Sequence, residues 1–235
     1  DKQKLYEELY KKALIKDADD FPKYARILAP VIIPEGFVWV KHLQKLAETL
    51  QLVEDGKITR LMIEMPPGGS KSSLVTLFES WCLGRHNSWK ILGISHSGQL
   101  AMKFSRFVKD IVSAPDYVKI FPNFPGLRPD VQAAGYWYIL NAGGMFVSAG
   151  VGAGIAGERA NGAVLDDPLS EQTAGSEMER HKVLEWYGPG LKTRMLPDAL
   201  IIIVNTRWRL DDLSGYLLDL EKNNHDADKW TRISI

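Results

Sequence analysis

The chain has 235 residues, 45% of them hydrophobic, with 29 basic side chains against 29 acidic ones. This length and apolar content suit one α/β domain with an N-terminal helical extension, and the zero net charge excludes a domain that grips nucleic acid through a large basic excess, because phosphate neutralisation supplies most non-specific affinity. A single cysteine, Cys82, excludes an internal disulfide, and no apolar run approaches the ~18 residues of a membrane span, so a soluble intracellular protein is expected.

In chain order, the charged stretch DKQKLYEELYKK predicts a first helix over 2–15, unlike a signal sequence. A second helix is expected over 36–54, with Phe37, Val40, Leu43, Ala47 and Leu50 on one face and Asp55-Gly56 ending it. A strand at 60–65 leads through a Gly-rich loop into a helix starting near Ser72, whose segment Leu74 to Leu83 reads as amphipathic and places Cys82 as a small buried hydrophobe. Residues 89–95 read as a strand and 98–112 as a helix burying Leu100, Phe104, Phe107, Val108 and Ile111, while the proline-rich segment 115–130 reads as irregular. Residues 136–140 and 145–148 flank Asn141-Ala142-Gly143-Gly144 as a hairpin. A short strand ending at Asp166-Asp167-Pro168, a helix at 176–187, a strand at 200–205 and a helix at 212–220 capped by Asp211 or Asp212 complete the pattern. Alternating strands and helices call for a mostly parallel sheet.

The loop MPPGGSKSS, residues 65–73, lies where a strand meets a helix, which is where backbone N–H groups can wrap a polyphosphate. The pattern G-x-x-x-x-G-K-[ST] requires glycine where Met65 and Ser70 stand, but Lys71 and Ser72 match its lysine and its Mg2+-binding hydroxyl. Alone, this loop reads equally as a Gly-rich turn. About a hundred residues later, Gly162-Ala163-Val164-Leu165-Asp166-Asp167-Pro168 resembles a Walker B strand. In such a site one carboxylate holds hydrated Mg2+ and its neighbour polarises the attacking water; read alone, the same residues make a turn or a helix cap. Together the two motifs point to a nucleoside triphosphatase.

Gly152, Gly154 and Gly157 spell G-x-G-x-x-G, yet the next strand begins too soon for a crossover helix, so a dinucleotide site is rejected. The stretch GVGAGIAGERANG reads instead as a mobile loop carrying Arg159, a cation able to swing into a transition state. Thr206, just past the strand at 200–205, is placed to sense a γ-phosphate, the alternative being a plain β-to-α turn. The pairs Lys192/Arg194 and Arg207/Arg209 are candidate nucleic-acid contacts or else a solvated basic face.

In order and spacing, MPPGGSKSS, GERANGAVLDDP, Trp186-Tyr187 and IIIVNTRWRLDDLSG resemble the ATPase domain of the large terminase subunit of tailed double-stranded DNA bacteriophages, over roughly residues 36–222. The resemblance implies a P-loop NTPase fold of the RecA-like, ASCE type, in which residues 1–58 form a helical extension or lid and 59–235 the ATPase core. It implies ATP and Mg2+ as ligands. Pro67, Gly68, Gly69, Ser70, Lys71, Ser72 and Ser73 would hold the nucleotide, with Lys71 on the β- and γ-phosphates. Ser72 and Asp166 would hold the metal, Asp167 would orient water, Arg159 would be an arginine finger, Thr206 would couple hydrolysis to motion, and the segment Trp39 to Gln44, with His42 and Gln44, would lie toward adenine, the alternative being a plain helix surface.

Related motors carry glutamate where this chain has Asp167, so slow turnover is expected of the isolated domain. The nuclease domain of full-length large terminases is expected to be absent. The implied partners are double-stranded DNA, a portal protein, a small terminase subunit and further copies of the chain in a ring, pentameric on the portal and monomeric in isolation. The implied location is the cytoplasm of the infected bacterial host rather than the mature virion. Two other readings stay open: another DNA-dependent ATPase such as a helicase core, although the chain has room for one motor domain only, and a degenerate nucleotide-binding ring subunit without hydrolysis.

Overall fold

The computed structural model describes residues 17–155, 157 and 159–235; the helix expected over 2–15 lies outside them. Eight strands form one sheet: β1 Arg60–Glu64, β2 Lys90–Ser95, β3 Leu127–Ala133, β4 Tyr136–Ile139, β5 Met145–Gly150, β6 Ala160–Asp166, β7 Met195–Asn205 and β8 Thr231–Ser234. Their spatial order is β3-β4-β5-β2-β6-β7-β1-β8. From β5 to β8 every neighbour is parallel, whereas β3 and β4 join as antiparallel ribbons. This is the mostly parallel sheet, with its hairpin and flanking helices, that the P-loop NTPase reading requires.

The helices are α1 Phe21–Leu28, α2 Lys41–Glu54, α3 Lys71–Arg85, α4 Gly98–Val112, α5 Pro115–Ile120, α6 Glu171–Ala174, α7 Glu177–Trp186 and α8 Leu213–Asn223. Parallel central strands are covered on both faces and so carry unbroken apolar runs; in β7 every residue from Ala199 to Val204 is buried. Alternation then assigns the faces. Ile202 and Val204 join α1 to α5 in one core, and Ile201 and Ile203 join α7 and α8 in the other.

Several expectations are corrected. The second helix starts at Lys41, not 36, because Val40 is extended at φ −93°, ψ 162°; Phe37 and Val40 lie before it. Helix α3 is not amphipathic. It is buried at every position from Leu74 to Leu83, packed between the sheet, α1 and α4, with Tyr24 Oη 2.6 Å from Ser80 Oγ. On α4 the buried stripe is Ala101, Ser105, Val108, Ile111 and Val112, while Leu100, Phe104 and Phe107 are half-buried. Pro115 opens a helix where an irregular segment was expected, since proline is pre-organised for a first helical position. Strand β7 begins at Met195 rather than 200, and β8 lies beyond the last expected element.

The strand ends decide where chemistry can occur. Glu64 pairs with Asn205, Asp166 with Val204, and Ser95 with Asp166, so the carboxyl ends of β1, β7, β6 and β2 form one row. Because β7 lies between β1 and β6, its tip separates the loop after β1 from the acids after β6.

Candidate active site

The turn from β1 into α3 is left-handed twice, at Gly68 (φ 82°) and Ser70 (φ 60°). Ser70 occupies a conformation for which glycine is the default residue, and its side chain caps nothing. A Cβ on Gly69 would overlap Met65 Cε, so the loop folds tightly over the strand end. The first backbone bond of α3 runs from Leu74 N to Ser70 O at 3.0 Å, so the amides of Lys71, Ser72 and Ser73 precede the helical ladder at its positive end. Pro67 and Gly68 are exposed at the crest.

Lys71, 5% exposed, reaches across this row. Its Nζ donates to Thr206 Oγ1 at 3.1 Å and lies 3.3 Å from Asp167 Oδ2. Ser72 Oγ donates to Asp166 Oδ1 at 3.1 Å. Thr206 N donates to Asp167 Oδ1 at 2.9 Å, and Thr206 Oγ1 to Met65 O at 3.4 Å. Loop, acid pair and Thr206 therefore meet at one place. Asp167 is itself left-handed, at φ 45°, with its carbonyl accepting from His96 N at 3.1 Å. Strain of this kind collects where a site over-determines its backbone.

Burial pushes the Asp166 carboxyl up to about 7, helped by the charge of Asp167 and opposed by the Ser72 hydrogen bond and the Lys71 charge. An oxygen-only pair such as Ser72 and Asp166 is the donor set a hard divalent cation prefers, so these residues fit Mg2+. Beneath them, Glu79, Thr76, Ser95 and Asp166 line a cavity of about 10 Å³, room for about one water molecule. Glu79 is 3% exposed, and burial followed by the charge of Asp166 holds its carboxyl well above the usual range. It was hidden because the helix that carries it was expected to be amphipathic, with its polar residues facing solvent.

Two expected residues stand apart. Arg159 is exposed at the amino end of β6, seven residues from Asp166 at the carboxyl end. At ~3.3 Å per residue the separation is roughly 20 Å, beyond the span of an arginine side chain. Gln44 accepts from Arg26 at 2.9 Å and donates to Glu48 at 2.8 Å, on an open cavity of about 480 Å³ that contains no residue of the 65–73 loop.

Within the basic pairs, Arg207 is paired with Glu64 and Asp212, and the exposed Lys192 with Asp228. Asp212, not Asp211, caps α8, accepting from Gly215 N at 2.9 Å.

No protein-family model matches the sequence, and no curated protein matches it. Among solved structures, the chain is similar to the HK97 bacteriophage large terminase at 13% identity and a TM-score of 0.59, with 87% of this chain covered. The match spans 41% of the terminase chain, so this chain corresponds to less than half of its length. The fold of this protein is that of the matching portion of a phage large terminase.

Proposed function

We propose that the chain is a Mg2+-dependent ATPase of the large-terminase kind, whose hydrolysis drives double-stranded viral DNA into a procapsid. The observation that carries this reading is the meeting of Lys71, Ser72, Asp166, Asp167 and Thr206 at the carboxyl ends of β1, β6 and β7. On this reading the amides from Gly68 to Ser73 and the Lys71 ammonium bind the phosphates. Ser72 and Asp166 would hold Mg2+, which when bound supplies positive charge against the phosphate oxygens. Asp167, anchored by Thr206 N on Oδ1 and paired with Lys71 through Oδ2, would orient the attacking water once the Lys71 ammonium turns to the phosphates. Thr206 touches Lys71 through its side chain and Asp167 through its amide, which suits a residue that reports the state of the γ-phosphate.

Arg159 lies too far from its own acid pair to serve it, which favours insertion into a neighbour's site in a ring on a portal. Gln44 is the candidate adenine contact, a role that requires its amide to exchange Arg26 and Glu48 for the base. Double-stranded DNA, portal, small terminase subunit and the infected cell's cytoplasm follow from this reading.

The test is phosphate release by the purified chain at high protein concentration, with and without Mg2+ and DNA. Mg2+-dependent release that Asp167→Asn stops, with Mg·ATP binding intact, is the expected result. Asparagine tolerates the left-handed backbone at 167 as aspartate does, so the substitution isolates the carboxylate. Absence of release at any concentration would favour a nucleotide-binding module without hydrolysis.

A further inference from the structure

We propose that Arg207 is a positioning residue of the site, its guanidinium clamping the segment that carries Thr206 onto the strand that carries the phosphate loop. The proposal rests on the ATPase reading for its kinetic consequence, but the clamp is a matter of geometry. Arg207 Nη1 donates to Glu64 Oε1 at 2.6 Å, at the last residue of β1 before the loop. Its Nη2 donates to Leu210 O at 3.2 Å, and its Nε lies 2.7 Å from Asp212 Oδ2, an ion pair in which the N–H is not aimed along the contact. One side chain thus joins β1, the segment 206–212 and the amino end of α8. Arginine can do this because its planar fork offers several donors at fixed angles, where lysine offers a point charge.

Between Asn205 and α8 the segment has no helix or strand, so side-chain bonds fix it: those of Arg207 toward β1, those of Thr206 to Asp167 and Met65, and the pair of Arg180 on α7 with Asp211. Thr206, the adjacent residue, contacts both Lys71 and Asp167. Freeing Arg207 lets the segment move and loosens those contacts, while the loop, Lys71 and Ser72 stay in place through β1 and α3. The clamp therefore bears on the chemical step rather than on nucleotide affinity.

The structure contains its own control. Glu64 is 4% exposed and shared between two guanidinium groups, its second oxygen accepting from Arg232 of β8 at 2.6–2.7 Å. Arg232, more exposed than Arg207, offers the same carboxylate a pair of similar length but makes no hydrogen bond or ion pair with 206–212 among the described residues. If Arg207 served only to neutralise Glu64, removing either arginine would have the same effect.

The experiment compares Arg207→Gln with Arg232→Gln in the full chain. Hydrogen exchange measured without nucleotide is expected to rise across 206–212 in Arg207→Gln and not in Arg232→Gln. In phosphate release, kcat is expected to fall roughly 10- to 100-fold in Arg207→Gln, the scale of a small misplacement of reacting groups, with MgADP affinity and KM within about threefold. Arg232→Gln should keep kcat within about twofold, and Arg207→Lys, which keeps a charge near Glu64 without the fork, should fall in between. Equal effects of the two glutamine variants, or unchanged exchange across 206–212, would overturn the clamp. If Arg207→Gln does not fold, Arg207→Lys decides, and wild-type exchange and kcat in that variant overturn the proposal. A wild-type chain that binds MgADP without releasing phosphate refutes the ATPase reading, and with it the kinetic half of the proposal, while the exchange comparison still judges the clamp.

Discussion

Replacing Asp166 by asparagine should stabilise the metal-free protein at alkaline pH while removing the proposed metal ligand. Asparagine keeps the volume and an oxygen to accept from Ser72 Oγ, but it carries no charge. The native carboxyl has its pKa raised from 3.8 to about 7 because burial, and then the Asp167 charge, disfavour ionisation. The folded state therefore holds a proton that the unfolded chain has released, and stability falls as pH rises through that window. At about 1.4 kcal/mol per pH unit the whole window is worth roughly 4 kcal/mol, of which the part above pH 5 is roughly 2–3 kcal/mol. The amide's own cost of burial is the same at both ends and cancels when the two proteins are compared at pH 5 and pH 8. Urea unfolding without Mg2+ or nucleotide is the assay. The advantage of Asp166→Asn over the native protein should grow by roughly 2–3 kcal/mol from pH 5 to pH 8. A difference that stays flat, or shrinks as pH rises, refutes the account of a strained acid under the metal site.

Lys71→Ala removes the cation that faces Asp167 and Thr206, and phosphate release and nucleotide binding, followed by calorimetry, should both be lost; unchanged turnover would count against the loop assignment. Arg159→Ala should abolish stimulated turnover on its own, yet mixing it with a Lys71→Ala chain that retains Arg159 should restore part of it, as expected of a residue that works across a subunit boundary. No restoration at any mixing ratio would remove Arg159 from the mechanism. Gly215→Ala would drive a methyl group into the carbonyl of Leu210, which is backbone and cannot swing away. It should lower stability by roughly 1–3 kcal/mol in thermal melts, and a native melting temperature would show that the start of α8 yields.

The parts legible in the sequence were those with local chemistry. Lys71-Ser72 after an apolar strand and two acids after another pointed to the candidate site, because the two motifs together suit a polyphosphate and its metal although either alone reads as a turn. Asn141 to Gly144 gave the hairpin. What was hidden required the third dimension. Glu79 looked like a polar interruption of an amphipathic helix, since nothing local shows that α3 is covered on all sides. Arg207 looked like half of a basic pair because Glu64, its partner on β1, is distant in sequence, and only the fold brings the guanidinium between it and Asp212. The true face of α4 is set by Trp137, whose ring nitrogen donates to Ser105 Oγ at 3.1 Å, a contact that no periodicity contains.

The backward twist of the chain at Asp167 limits what can replace it. Aspartate, asparagine and glycine enter that region cheaply, whereas a longer side chain there is costly, on the order of 1–2 kcal/mol. The twist turns this short arm toward the ammonium on one side and the threonine amide on the other. Lengthening it to glutamate would strain the main chain and carry the carboxylate past both neighbours. Exchanging this acid for glutamate therefore requires reshaping the bend between β6 and Pro168, and a single substitution should not suffice.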